Sequence, residues 1–544
     1  MDAVIMDLRA LELHGKSFWD HRKLLKALDL AARYGLNSLV LHESDFTTEF
    51  LYPKPLFDPE ATWSGAPSRR GENALQNNQA YMRYILKEAE RRGIGVWVET
   101  IELTYPDEAV ERFPEVLEAG KVCPSHPFWP DFLEMKYRDL AASFPGLKGA
   151  IVSAGSPEGR AALSQNKCAC LRCRSTKLSD WYESLIRPMR RALVEAGMVL
   201  AVREFSYTPT HQEAILQALG SLPADIVLCV KTTPHDFYPT FPHNPRISAD
   251  AGRELWVEYD TMGQFYGWGA FPCVMAADIA QRFGHFRLHG VNGAILRVEW
   301  ERVNDWWSLD TPNRMNLFIA AKACNGVTVN ETTALENWIE EEGIEVDDEA
   351  KSLAASYLAD TWHIIRRALY INDFVFNDSS RYPMTQERGW WSMKDKHSLA
   401  SWDPSRKEDL DLDEEKLDAY LVEKDYALAL LRDWIERASS LGDRALPFPF
   451  FSNMHLFEEY VEGWRIAGRL CLLSKALSNP RLFKRWEDLS RDFQSAKEEA
   501  ALFSKRLSSQ ASQGGQRHQY AMLADPARIS RLGGQLLGPP KART

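Results

Sequence analysis

Over residues 1–344, short apolar runs alternate with amphipathic stretches, the pattern of repeated βα units. Strands are expected at Ala3–Leu8, Ser38–His42, Gly95–Glu99, Gly149–Ser153, Val199–Arg203, Ile226–Val230, Leu255–Glu258 and Gly293–Val298. Between them lie helical patterns such as HRKLLKALDLAARYG and YMRYILKEAERRG. Several end in glycine (Gly35, Gly93, Gly197), as where a left-handed cap precedes a buried strand. Eight such units are what a closed barrel needs. An open doubly wound sheet would call for a Gly-rich phosphate loop after the first strand, and the sequence has none there. The expected fold is therefore α/β, a (β/α)8 TIM barrel over 1–344.

Beyond the acidic run EEEGIEVDDEA the pattern becomes almost wholly helical, giving a helical C-terminal domain over 345–535 and a flexible tail over 536–544. An irregular segment, Asn372–Arg406, carries Trp390, Trp391, His397 and Trp402; a structural role is expected for it, with a loop reaching back to roof the active site as the alternative. Two long segments, 43–79 and 259–275, are aromatic with little helical periodicity, and are read as walls of a cleft. With 18 Trp in the chain, either a large aromatic core or stacking platforms for sugar rings would account for them.

Barrel enzymes place their chemistry beyond the C-terminal ends of the strands. Here each expected end carries polar groups: Glu12 and His14; His42, Glu43 and Asp45; Glu99 and Glu102; Glu158; Arg203 and Glu204; Lys231 and Asp236; Glu258; Glu299. One such residue alone is ordinarily a solvated surface charge. A mouth lined by so many demands pairing or function. Several acids in an aromatic-walled pocket suit glycoside hydrolysis, which needs a protonated carboxyl and an ionised one. Arg203 and Lys231 could clamp a substrate carboxylate, or could simply neutralise Glu204 and Asp236.

The net charge of −11 is spread along the chain, with no basic, aromatic-interleaved stripe, so no nucleic-acid partner is expected. Neither a signal peptide nor a membrane span is read, and the sparse cysteines suit a reducing, cytoplasmic setting. Cys168, Cys170 and Cys173 form a CxCxxC cluster. A closed zinc site would need a fourth ligand, from Cys123 or His126. With no second CxxC to pair with it, a reduced, loop-packing role is expected, and no metal or other cofactor.

IVLCVKTTPHDF, followed by ELWVEYDTMGQFYGWGAFPCVM, resembles the xylan-processing α-glucuronidases among the glycoside hydrolases. LAVREFSY and NRMNLFIAAKACNGVTVNETTALENWIEEE are similar to family segments too, over roughly residues 145–340. The cysteine loop resembles instead a broader group of glycosidase-like barrels. The resemblance implies an inverting mechanism with Asp236 and Glu258 as base-side carboxylates and Glu158 as general acid. It implies that Arg203 and Lys231 bind a uronate carboxylate. His14, Glu43, Glu99, Tyr207, Gln264, Trp268 and Glu299 complete the candidate substrate-binding set.

The expected function is a glycoside hydrolase acting on an acidic oligosaccharide, with a second copy of the chain, in a homodimer, as the other candidate partner. Three competitors stand beside it. One is a retaining, hexosaminidase-like enzyme, for which an N-acetyl sugar offers Arg203 and Lys231 no carboxylate. Another is a catalytically silent carbohydrate-binding barrel. The third is a metal-dependent isomerase or lyase using Glu99, Glu258 and His14.

Overall fold

The computed structural model describes residues 5–43, 69–165, 168–206, 208–248, 252–299, 307–375, 380–390, 399–402, 412–445, 451, 453–511 and 523–536. Eight parallel strands close into a barrel in chain order: β1 (Leu8–His14), β2 (Ser38–His42), β3 (Gly95–Glu102), β4 (Leu147–Ala154), β5 (Val199–Arg203), β6 (Val227–Lys231), β7 (Leu255–Asp260) and β8 (Gly293–Arg297). β8 pairs back to β1, with Glu12 opposite Arg297. Around it run α1 (His21–Arg33), α2 (Arg69–Glu90), α3 (Phe128–Ser143), α4 (Leu178–Glu195), α5 (Pro209–Gly220), α6 (Ala276–Leu288) and α7 (Arg314–Cys324). Between β6 and β7 the described residues form turns instead of a helix. Side-chain caps set several starts: Asp20 accepts from the backbone of Arg22 and Lys23, and Thr208 from that of His211. Gly35, Gly93 and Gly197 take the expected left-handed conformation, with φ of 74°, 70° and 75°.

The barrel floor is a small apolar cluster including Leu8, Ala10, Val40, Trp97, Ile151, Ala201, Val227, Trp256 and Ile295. Trp97 and Trp256 meet edge to face at 5.0 Å. Gly149 and Gly293 make room for them: a Cβ on Gly149 would lie 2.7 Å from the Trp97 ring, and one on Gly293 2.5 Å from that of Trp256. A ring this narrow fills only if large side chains face small ones.

The first strand differs from its expected position. The apolar run of residues 3–8 ends where β1 begins, and Met6 and Asp7 bond instead to Cys324 and Asn292. The true strand escapes an apolar-run reading because its inward positions turn from Leu8 and Ala10 to Glu12 and His14.

The helical region follows α8 (Glu331–Glu341) with α9 (Asp348–Leu369), α10 (Glu414–Ser440), α11 (Met454–Leu477), α12 (Trp486–Ala511) and α13 (Pro526–Gln535). Its core is continuous with the layer between strands and barrel helices. None of the described helices is long and apolar enough to cross a membrane. The segment after β7, expected to wall an open cleft, is instead a buried wedge between barrel and helices. Val274 donates to Thr361, Gly267 donates to Ser380, and the Tyr370 hydroxyl donates to the Phe265 carbonyl. Closing that junction requires the aromatic content read as a cleft wall, and Phe271 stacks on Tyr460 at 4.7 Å.

Candidate active site

Side chains on a strand alternate between faces, so the inward positions of each strand follow from its floor residue. Two residues above the floor, the inward positions become Glu12, His42, Glu99, Ser153, Arg203, Glu258 and Arg297, with His14 above Glu12 and Lys231 above Cys229. The barrel changes abruptly from a hydrocarbon floor to a charged layer.

That layer is tightly paired. His14 Nε2 and His42 Nδ1 meet Glu12 Oε1 at 2.6 and 2.9 Å, and the Glu12 side chain is 0% exposed. His42 also lies 3.1 Å from Glu99, which is 3.0 Å from Arg203 Nε. Arg203 Nε donates to Glu258 Oε1 at 2.8 Å, and its Nη1 donates to Ser153 at 3.2 Å. Oxygens of Glu12, Glu99 and Glu258 all lie within 4.8 Å of one another, as do ligand atoms of Glu12, His14 and His42. The guanidinium already supplies positive charge between Glu99 and Glu258. Glu12 Oε2 and Glu258 Oε2 accept no hydrogen bond and are buried.

Burial would raise Glu12, but hydrogen bonds from both histidines and their charges hold it well below the usual carboxylate range. Burial and the neighbouring His42 lower His14 to about 3, while Glu99 and Glu12 raise His42 against its burial. Burial lifts Glu99 to about 7 despite His42 and Arg203. Within one layer, pairing and burial thus push the groups apart: Glu12 and His14 are lowered while His42 and Glu99 are raised.

Above it, Lys231 Nζ donates to Asp236 at 3.0 Å, and the Asp236 side chain keeps 26% of its surface in solvent. Burial pushes Asp236 up, but the charges of Lys231 and His235 outweigh it and hold the carboxylate low. Its φ is +51°, unusual for a residue with a Cβ. Lys231 sits between the faces of Phe205 and Phe237, at 4.2 and 4.6 Å. The Trp402 ring, from the helical region, stacks on His235 at 6.3 Å.

No family model matches the sequence, and no curated protein matches it. The structure overlays on a family 138 glycoside hydrolase described as targeting pectin rhamnogalacturonan II, with a TM-score of 0.59 at 13% identity, covering 93% of this chain and 62% of that one. The chain therefore spans less than two thirds of that enzyme. An O-GlcNAc hydrolase of Thermobaculum terrenum overlays at 0.46 with 11% identity, covering 97% of this chain and 94% of that one. A chitobiase of Flavobacterium johnsoniae overlays at 0.42 with 15% identity, covering 91% and 75%. The first overlay marks a shared barrel fold.

The structure brings together Glu99, Arg203, Glu258 and His14 of the expected set, and separately Lys231 with Asp236. Arg203 neutralises Glu99 and Glu258 and leaves Glu204 to Gln212, which donates to it at 2.7 Å, and to Ser206. Glu299 is buried, accepting from the His14 backbone at 3.2 Å and from Ser17, and burial raises it to about 7. Gln264 is turned inward, accepting from Arg297 at 2.7 Å. The buried backbone of Glu43 donates to the Glu99 carbonyl at 3.1 Å.

Two residues depart from expectation. Trp268 is 0% exposed and carries the Arg381 guanidinium over its ring at 5.1 Å, so its sugar-stacking face is taken. Glu158 lies exposed on the turn after β4, outside the buried carboxylate group. Tyr207, Asp45, Trp391, His397 and most of the segment after β2 lie outside the described residues.

Glu12 and His42, expected at strand ends but not in the substrate-binding set, belong to the site, and so does Arg297, which was not expected. Arg297 stood inside an expected strand, where a reading of strand ends does not look. Counting by twos from Ile295 would have found it.

Proposed function

We propose that this barrel mouth hydrolyses the glycosidic bond of a sugar that carries a carboxylate. The observation that carries the reading is the Lys231–Asp236 pair at 3.0 Å, which holds one carboxylate low, in a mouth where burial raises the carboxyls of Glu99 and Glu299 to about 7. Glycoside hydrolysis needs that division of states. Asp236 is the base: partly exposed, ionised and fixed by its lysine, it activates the attacking water. Lys231, desolvated between two aromatic faces, supplies the charge that recognises a uronate. Arg203, spent on Glu99 and Glu258, holds the layer beneath in place. Pectin, the polysaccharide named for the fold-sharing enzyme, is rich in uronic acids, which supports an acidic substrate class. In the α-glucuronidase-like form of this reading, Glu258 assists Asp236 and the outcome is inversion. Glu158 is the acid that the family resemblance assigns; Glu299 is the acid that its burial favours.

The test is a panel of aryl α- and β-glycosides, uronides and neutral sugars together, with the anomer of the product read by NMR. Asp236→Asn is expected to lose about 10²–10⁴-fold in turnover. Lys231→Met should lose turnover on every substrate, because Asp236 loses its partner, and should lose the most on uronides. Whichever of Glu158→Gln and Glu299→Gln removes the acid will retain activity on activated leaving groups and lose it on poor ones. Turnover of neutral glycosides alone would sink the acidic-sugar reading, and full activity in Asp236→Asn would sink the mechanism.

A further inference from the structure

We propose that Cys123, Cys168, Cys170 and Cys173 hold one zinc ion that staples the loop after β3 to the loop after β4. The sulfurs come from two segments about fifty residues apart, yet all four lie within 4.8 Å of one another. Cys123 Sγ is 3.7 Å from that of Cys170 and 3.4 Å from that of Cys173. A tetrahedron with Zn–S bonds of about 2.3 Å has edges of about 3.8 Å, close to these separations. They are too long for a disulfide, whose S–S bond is about 2.05 Å. Sulfurs ligating different irons of an iron–sulfur cluster would stand further apart than sulfurs sharing one ion. An all-thiolate tetrahedron suits zinc, a borderline-soft ion with no redox chemistry and no geometric preference against it.

The surroundings are built for this geometry. The Cys173 backbone N–H donates to Cys170 Sγ and the Ser125 hydroxyl donates to Cys173 Sγ, both at 3.4 Å. Such donors stabilise thiolates in a metal's outer shell. The fourth ligand is anchored from two sides: Trp129 donates to the Cys123 carbonyl and Trp181 to that of Pro124, both at 2.8 Å. His126, the other candidate for that place, has Nδ1 occupied by the Phe128 N–H at 3.2 Å. The same Trp181 ring packs under Gly155, where a Cβ would lie 2.5 Å from it. The ion would therefore fix the β4 end of the mouth, including the turn that bears Glu158. Binding changes no oxidation state; the four thiols release their protons to solvent as the ion enters.

Elemental analysis of the full-length protein, purified without added metal or chelator, tests this. About one zinc per chain is expected, retained in Cys471→Ser and lost in Cys123→Ser and Cys173→Ser. Should those two variants misfold, cobalt exchanged into the wild-type protein gives a second reading: the absorption of a tetrahedral tetrathiolate is expected. Chelation should also speed proteolysis within residues 105–177. A wild-type protein free of metal, whose four thiols alkylate without chelator or appear as a disulfide in non-reduced peptides, would overturn the proposal.

Discussion

Glu99 and Glu102 lie three residues apart on β3 and face opposite ways, so they should fail differently when disturbed. Glu102 points out of the barrel toward α3, where Lys136 Nζ donates to its two oxygens at 2.9 and 3.1 Å. The Tyr137 hydroxyl and the Thr104 N–H complete the carboxylate, each at 2.9 Å, and Lys136 also donates to the Thr104 carbonyl at 2.9 Å. The lysine and glutamate side chains are 2% and 0% exposed. Lys136→Met keeps most of the volume and removes the charge, leaving a buried carboxylate with two neutral donors. Breaking a buried pair from one side costs about 3–5 kcal/mol. Replacing both partners, as Glu102→Leu with Lys136→Met, leaves two orphaned donors at about 1–3 kcal/mol each, well short of the sum of two single losses. The assay is urea unfolding followed by tryptophan fluorescence, alongside kcat/KM per folded molecule. Lys136→Met should lower the midpoint strongly and leave kcat/KM unchanged, because Glu102 takes no part in the mouth. A shift worth less than about 1 kcal/mol would mean that water reaches the pair, against its burial. Loss of activity in a well-folded Lys136→Met would show that the wrong glutamate had been placed in the site.

Glu204 is raised by burial to about 7, so the folded state holds its proton where the unfolded chain, near 4.5, has lost it. Its contribution is present below about 4.5 and is lost as pH rises toward 7, on the order of 3 kcal/mol; urea midpoints should fall between pH 5 and pH 8, with a shallower fall in Glu204→Gln. Asp236 is shifted the other way, and its contribution is lost only as pH drops through its depressed value. If Glu299 is the acid, activity should decline as pH rises through about 7, and Glu299→Gln should abolish that limb on activated substrates. At the floor, a Cβ on Gly149 would stand 2.0 Å from the Val199 carbonyl oxygen, so Gly149→Ala should cost at least about 1–3 kcal/mol by thermal melting. Gly284, inside α6 with nothing within 4 Å of its added Cβ, is the control: Gly284→Ala should gain about 1 kcal/mol.

The fold was legible because its signals are local. A glycine with φ near +70° after an amphipathic helix, and an apolar run after it, announce a βα unit without reference to any other unit. The site was less so, because pairing is not local: Arg203 finds Glu99 and Glu258 two strands away on either side, while the acid beside it in sequence, Glu204, goes to Gln212. Burial of the segment after β7 likewise depends on Thr361, Ser380 and Tyr370, about a hundred residues away.

Strand parity is the part of the site that one sequence does carry, and it sorts acids more finely than position near a strand end. Leu8, Ala10, Glu12 and His14 face inward together, and so do Trp256, Glu258 and Asp260; Glu102 and Glu204 have the opposite parity and go to helices. Parity explains why β1 was hard to see, since a strand whose inner face is half charged loses its apolar alternation where the charged layer begins. Parity alone does not assign a role. Asp260 has the inward parity yet serves the backbone, accepting from the N–H groups of Met262, Gly263 and Gln264 at 3.1, 3.2 and 2.8 Å. Asp236 lies on a turn, where parity no longer applies, and the lysine five residues before it ties it to the mouth. The assignment of Asp236 therefore rests on Lys231, and a Lys231→Met protein that still prefers uronides would undo both together.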